Sequence, residues 1–358
     1  MKTIMNYWAI GKDGSIEEKI NNWINKRYRG ELLYGLTHLE EAGFGTIFSK
    51  TENFKSSEWR FRLTNMLNIL RDKRQYDIVY APYSDGLQAL IYLRGLRLYN
   101  KKIVIWQHVP IEKPRGKNFF RRFLYRVFIN GIDKHIFFSE NSRNESLDSG
   151  IISKNKTAVL NWGPDLDFFN NILNETSGQE YKDLRFISTG MWYRDFDILI
   201  KAFTGLSVKL DIYLIDKTLI ELYGNVSENI SIHFIEPNEL SSYRAGLEAS
   251  KSSVVIICTK PATKRKQSFG LTSLIEATAL GKPVVVTRNK YIPQYFEENQ
   301  IGLFVNAGDA DELRRAIIKI SSDTELLHQL GNNSREFALR KCNLKLFTKD
   351  LASLFENI

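Results

Sequence analysis

Short apolar runs rich in Val, Ile and Phe, each bounded by turn residues, alternate with helical periodicity along the whole 358-residue chain. In the first half the runs are TIMNYWAI (3–10), DIVYAP (77–82), KIVIWQH (102–108), KHIFFSE (134–140) and TAVLNWG (157–163). In the second they are DLRFIST (183–189), KLDIYLI (209–215), ISIHFIE (230–236), SVVIICT (253–259) and PVVVTR (283–288). Runs that are apolar at consecutive rather than alternate positions suit strands covered on both faces, with the intervening helices as crossovers. The pattern predicts an α/β protein with two doubly wound, Rossmann-like domains. The Pro, Gly and Asn of GPDLDFFNNILNETSG (163–178) predict the linker. An N-terminal domain is thus expected at 1–165 and a C-terminal domain at 166–342. A last helix near 343–358, apolar at Leu344, Phe347, Leu351, Leu354 and Phe355, is expected to pack back on the first domain. In open parallel sheets ligands bind beyond the carboxyl ends of the strands, so two such sheets facing each other would enclose a cleft lined by residues that follow strands.

Composition changes this picture in one respect. Hydrophobic content of 43% and charged content of 25% are ordinary for a globular protein, but the net charge of +9 is unevenly placed. Up to residue 165 there are 27 Lys and Arg against 17 Asp and Glu; beyond it there are 23 against 24. The whole excess lies in the first half, which calls for an anionic partner there: a membrane surface or a lipid-phosphate acceptor. Nucleic acid is set aside, because zinc-finger spacing, an aromatic RNP pattern and a basic zipper are all lacking. Two cysteines, Cys258 and Cys342, make no disulfide framework. The N-terminal MKTIMNYWAIGKDG reads as a first strand rather than a signal peptide, and no apolar run reaches the roughly 18 residues of a spanning helix. A cytoplasmic protein, peripheral on the cytosolic face of the membrane, is the expectation.

The stretch SFGLTSLIEATALGKPVVVT (268–287) carries the first sign of chemistry. Gly270 permits a tight turn, and Ser273 with Glu276 three residues later has the spacing of a capping box. Gly281 and Pro283 end the helix. Amides around Gly270, Leu271 and Thr272 are expected to face the cleft and accept a diphosphate, with Lys260, Lys264, Arg265 and Lys266 just upstream. Spacing alone leaves open whether Glu276 is a helix cap or a ligand, and whether the basic cluster is merely a solvated loop.

The same stretch resembles the C-terminal signature of GT-B glycosyltransferases, above all the retaining family 4, in which Glu, seven residues and a second Glu precede an Ala-rich helix and Gly-Lys-Pro-Val. IEATALGKPVVV matches the second half of that signature and puts Glu276 at the second glutamate, which in the family holds the donor ribose. VLNWGPDLDFF (159–169) resembles the interdomain turn, STGMWYRDFDILIKAF (188–203) the segment that opens the second domain, and GLFVNAGDADELRRAI (302–317) the closing strand, turn and helix. The departures are informative. Ser268 stands where the first glutamate belongs, which would suit a negatively charged donor sugar such as a uronic acid. Met191 stands at the family's arginine, and Arg194, beside Gly190, lies near its lysine.

On the acceptor side, His108 matches a histidine that the family places near the donor sugar. Asp85, in APYSDG after a strand, could take a proton from the acceptor hydroxyl, and the IGKDG loop (10–14) would shape the acceptor site. NFFRRFLYRVF (118–128) has Phe120, Phe123, Leu124, Val127 and Phe128 on one helical face and Arg121, Arg122, Tyr125 and Arg126 largely on the other. That pattern suits either a core-facing helix or one lying on an anionic bilayer. Asp165 and Asp195, in DLD and DFD, imitate the Asp-x-Asp metal motif of a different glycosyltransferase fold. They are read instead as a turn residue and a helix cap, with neither a metal nor a cofactor expected. The resemblance implies a metal-independent hexosyltransferase that moves a sugar from a nucleotide diphosphate, UDP foremost, to a glycan or lipid-linked hydroxyl in cell-surface polysaccharide synthesis. Retention of configuration is the family's course; inversion is the alternative that Ser268 leaves open. A nucleotide-sugar epimerase of the same architecture, or an inactive nucleotide-sugar- or glycan-binding subunit, are the other readings.

Overall fold

In the computed structural model, which describes residues 2–7, 15–49, 58–114, 116, 118–190, 193–238, 241–262 and 266–358, each half of the chain builds its own six-stranded parallel sheet. One compact unit gathers Met1–Asn21, Leu32–Trp162 and Lys345–Ile358; the other gathers Asn22–Glu31 and Gly163–Leu344.

In the first unit the strands are β1 (Thr3–Asn6), β2 (Gly45–Phe48), β3 (Ile78–Ala81), β4 (Lys102–Gln107), β5 (Lys134–Phe137) and β6 (Thr157–Val159), in the order β2-β1-β3-β4-β5-β6. Chain direction across the sheet therefore reverses at the β1/β3 boundary. All four residues of β3 are buried, as a strand covered on both faces requires. The core joins Met5, Val79, Ile103 and Ile105 to Leu87, Leu90, Ile91 and Ile132 from the crossovers. The last helix, Leu344–Glu356, adds Phe347 and Phe355 to this unit: Phe355 lies edge-on to Phe44 and Tyr80, with ring centroids 5.8 and 5.2 Å away, and Phe347 meets Trp106 at 5.7 Å.

In the second unit β7 (Arg185–Ser188), β8 (Lys209–Leu214), β9 (Ile230–Phe234), β10 (Val254–Ile257), β11 (Val284–Thr287) and β12 (Gly302–Val305) lie in the order β12-β11-β10-β7-β8-β9. The reversal here falls between β7 and β10, which are hydrogen-bonded neighbours. β10 and β11 are buried at every position, and Phe186, Leu210, Ile256 and Val285 pack with Phe196, Phe203, Leu313 and Ile317.

Two sequence expectations change. The stretch read as a linker is the helix Leu166–Glu175 of the second unit: Asp165 caps it, accepting from the amides of Asp167 and Phe168, and it buries Phe168, Phe169 and Ile172. Asn and Gly punctuate that segment, but three large apolar side chains on one face outweigh them. Residues 22–31 lie inside the expected first domain in sequence, yet they pack with the second unit. Among the described residues, no helix is long and apolar enough to cross a membrane.

Candidate functional site

The reversal point of the second sheet brings together the loops after β7 and β10. Arg194 forms an antiparallel bridge with Thr259, flanked by hydrogen bonds from the Asp195 amide to Cys258 O and from the Lys260 amide to Tyr193 O, both 2.9 Å. Tyr193 stacks on Phe269 with centroids 4.2 Å apart, tying one loop to the other. Asp195 caps the helix Phe196–Phe203 by accepting from the Ile198 amide, the role expected of it.

This clamp buries the Arg194 side chain, leaving the residue 7% exposed. Its Nε and Nη2 donate to Thr189 O at 3.2 and 3.1 Å, and Nη2 also donates to Ser273 Oγ at 2.8 Å. Two glycines make room. Gly190, at φ +92°, would put a Cβ 2.7 Å from Nη2; Gly270, also at +92°, would put one 2.8 Å from Ile257 Cγ2 and 3.8 Å from Nη1. Both positions need the left-handed backbone that glycine adopts freely. Among the described residues Nη1 makes no hydrogen bond, and no carboxylate pairs with the guanidinium. Burial lowers the Arg194 pKa to about 10, so the group stays charged at neutral pH. A buried cation without a counter-charge is costly in a fold and is a mark of a site that takes an anion.

The helix Leu271–Ala279 starts here, with Gly270 rather than Ser273 as its N-terminal cap. The expected capping box is absent: Ser273 lies inside the helix, and its hydroxyl oxygen accepts from Arg194. The Leu271 amide, expected to face a phosphate, already donates to Ser268 O at 3.1 Å. The next first-turn amides, of Thr272 and Ser273, have no acceptor within a helix. Gly190, Arg194, Lys260, Ser268, Gly270, Leu271 and Thr272 are thus brought to one place. Lys260 is exposed and Lys266 half-buried. Lys264, Arg265, Met191 and the IGKDG loop lie outside the described residues.

Glu276 sits one turn further along and does not cap its helix. It forms an ion pair with Arg29, whose Nη2 also donates to Ser242 Oγ at 3.0 Å. The segment that carries Arg29 is pinned by Asp165, which accepts from Trp23 Nε1 at 2.8 Å and from the Gly30 amide at 3.1 Å. Glu31, fully buried, accepts the Asp165 amide at 3.0 Å. Nothing in the spacing of Trp23, Arg29 and Glu31 marks them, since their partners are distant in sequence.

Burial pushes the Glu31 carboxyl up to about 7, opposed by Arg29 and reinforced by Asp165. A carboxyl raised in the folded state binds its proton more tightly there than in the unfolded chain. Its contribution to stability is therefore full below the ordinary value of 4.5 and is lost as pH rises to about 7. Denaturant midpoints across this window are expected to fall with rising pH more steeply in the wild type than in Glu31→Gln; equal slopes would remove Glu31 as the cause.

His108 and Asp85 belong to the first unit. His108 follows β4, stacks on Tyr83 with centroids 4.4 Å apart, and lies 3.0 Å from Pro82 O through Nε2. A carbonyl can only accept, so Nε2 carries the proton and Nδ1 the lone pair. Burial lowers the imidazole pKa to about 4, which keeps it neutral at physiological pH. Asp85 is an exposed turn residue, 3.4 Å from Gln88 Nε2. It does not cap the next helix, whose N-cap is Leu87. Nearby, at the β1/β3 reversal, Asn6 and Tyr7 are buried with side-chain polar atoms that have no partner among the described residues. Sequence reasoning did not single them out.

This arrangement can be compared with known proteins. Residues 175–337 match the family described as Glycosyl transferases group 1. Over 217 residues the chain is 23% identical to an uncharacterized glycosyltransferase of Methanocaldococcus jannaschii, covering 61% of this chain and 58% of that protein's length. HepE of Anabaena, solved in complex with UDP, superposes over 100% of both chains with a TM-score of 0.67 and 16% identity. The fold is GT-B. A glycosyltransferase from Rickettsia africae superposes equally well, with a TM-score of 0.67 and 17% identity over 99% of this chain and 98% of its own.

Proposed function

We propose that the protein is a glycosyltransferase that moves a sugar from a nucleotide diphosphate, UDP foremost, to a hydroxyl of a glycan or lipid-linked acceptor. The observation that carries this reading is Arg194, a buried guanidinium without a carboxylate partner among the described residues, with Nη1 beside the glycine that starts a helix. Breaking the bond between sugar and diphosphate builds negative charge on the leaving phosphate. Fixed donors in a dry site stabilise that charge best, because they need no reorganisation as it develops. Arg194 Nη1 and the Thr272 and Ser273 amides would supply them, and Lys260 and Lys266 would add long-range attraction. Glu276 would take the ribose hydroxyls, which requires it to share or exchange its contact with Arg29.

In the first unit, neutral His108 would accept a hydrogen bond from a sugar hydroxyl through Nδ1, rather than supply a charge. If configuration is retained, the leaving phosphate would receive the acceptor proton; if it is inverted, Asp85 is the carboxylate proposed as base. The +10 balance of the first 165 residues suits an acceptor that carries phosphate.

Thermal stabilisation by UDP, GDP, ADP and CDP tests the reading directly. A nucleotide at 100 times its dissociation constant adds about 2.7 kcal/mol to the folded state. UDP is expected to raise the melting temperature most, and UDP-glucuronate is expected to exceed UDP-glucose if Ser268 accommodates an acidic sugar. A shift by no nucleotide would overturn the donor assignment; conversion of the donor to an epimer without acceptor would replace transfer by isomerisation.

A further inference from the structure

The helix Phe119–Asn130 leaves its N-terminal half uncovered. Phe119, Phe120 and Phe123 are 82, 66 and 48% exposed, whereas only Val127 and Ile129, near the other end, are buried. The sequence pattern of one core face and one basic face therefore holds for the second half alone. In the first half aromatic rings and cations are both solvent-exposed.

Phe119, Arg122, Phe123 and Arg126 recur at helical spacing, so one face alternates ring and cation. With Lys113, Pro114 and Ile151 they line an open cavity of about 520 Å³. Arg122 is held in place by donation from Nε to Gly116 O at 3.1 Å. Asn118 caps the helix, accepting from the Arg121 amide, so the helical spacing of rings and cations begins at Phe119. Glu112 is the acid nearest to this group in sequence, and it acts electrostatically on Tyr125.

We propose that this face is a binding site for anionic phospholipid: the three phenylalanines enter the acyl boundary, and a headgroup phosphate sits in the cavity between Lys113, Arg122 and Arg126. Three exposed rings beside three cations match the two halves of such a lipid. The rings gain by leaving water, and the cations gain from the negative surface. Each cation near an anionic membrane strengthens partitioning by about fivefold. A solvated surface has no use for Phe at 82% exposure, and a purely electrostatic partner would need the cations alone.

The test uses the whole protein and vesicles of phosphatidylcholine with or without phosphatidylglycerol, and needs neither donor nor acceptor sugar. Co-sedimentation is expected with the phosphatidylglycerol vesicles and not with phosphatidylcholine alone. Phe119→Ser with Phe123→Ser is expected to weaken it by about tenfold or more, as is Arg122→Gln with Arg126→Gln. These side chains are exposed, so unchanged melting temperatures would show that the variants remain folded. Soluble glycerophosphate at the same phosphate concentration is expected not to displace the protein, because it lacks the apolar half of the ligand. Absence of sedimentation at low salt, or equal sedimentation of wild type and both variants, would overturn the proposal. So would displacement by RNA or glycerophosphate, which would show that phosphate alone is recognised.

Discussion

Arg194→Met is expected to reduce sugar transfer by about 100- to 1,000-fold while shifting stability by no more than about 2 kcal/mol. The two numbers separate because they have different origins. A guanidinium that is 7% exposed and has no carboxylate partner among the described residues contributes little net stability: its hydrogen bonds to Thr189 O and Ser273 Oγ roughly offset the cost of burying the charge. Methionine fills similar space, and the bonds lost are two acceptors' bonds, to Thr189 O and Ser273 Oγ. Catalysis would have no such substitute, since the charge on the leaving phosphate would then meet helix amides and the distant Lys260 and Lys266, without a fixed cation in contact. Arg194→Lys is expected to fall between, because an ammonium cannot span Thr189 and Ser273 while pointing a third donor past Gly270. Steady-state kinetics beside urea unfolding would check this. A variant that loses stability heavily but retains transfer would make Arg194 a structural strut and remove the main support for the functional reading.

How far the sequence discloses this site depends on the distance over which each interaction acts. The continuous apolar runs reveal both sheets, because burial on two faces leaves a local signature in β3, β10 and β11. β2, with sequence GTIF, is missed: it is a four-residue edge strand, half-buried throughout, without a distinctive run. Gly270 is legible as a turn residue beyond a strand, and Arg194 through its place in the segment that resembles the opening of the family's second domain. The partner of Ser273 is not legible. Its spacing to Glu276 matches a capping box, and only the tertiary approach of Arg194 decides that the hydroxyl serves a cation instead. Arg29 is the extreme case. It lies in a segment that the chain places in the first half and the fold places with the second. Local pattern holds no record of a partner that distant, so the ion pair with Glu276 emerges only from the packed structure.

That ion pair also makes the role of Glu276 separable from its contribution to stability. Glu276→Ala leaves Arg29 largely buried, with Ser242 as a hydrogen-bond partner and Glu31 as a neighbouring charge, a loss of about 1–3 kcal/mol. The single variant is therefore ambiguous, since a weakened fold and a lost ligand both reduce stabilisation by UDP. Removing both charges resolves it. Arg29→Met with Glu276→Leu is expected to recover most of the lost stability, because an apolar pair of similar volume replaces a pair that must be desolvated. It is expected to recover none of the UDP-dependent shift, since leucine offers nothing to a ribose hydroxyl. A third variant, Arg29→Met alone, frees the carboxylate from its cation and is expected to retain UDP binding at some cost in stability. The coupling energy from the complete cycle measures the pair itself. Should the double variant recover both stability and the UDP shift, Glu276 would be a structural partner of Arg29 and the ribose would have to be held elsewhere. Should Arg29→Met lose the shift as fully as Glu276→Ala, the nucleotide would depend on the intact pair, with Arg29 positioning the carboxylate.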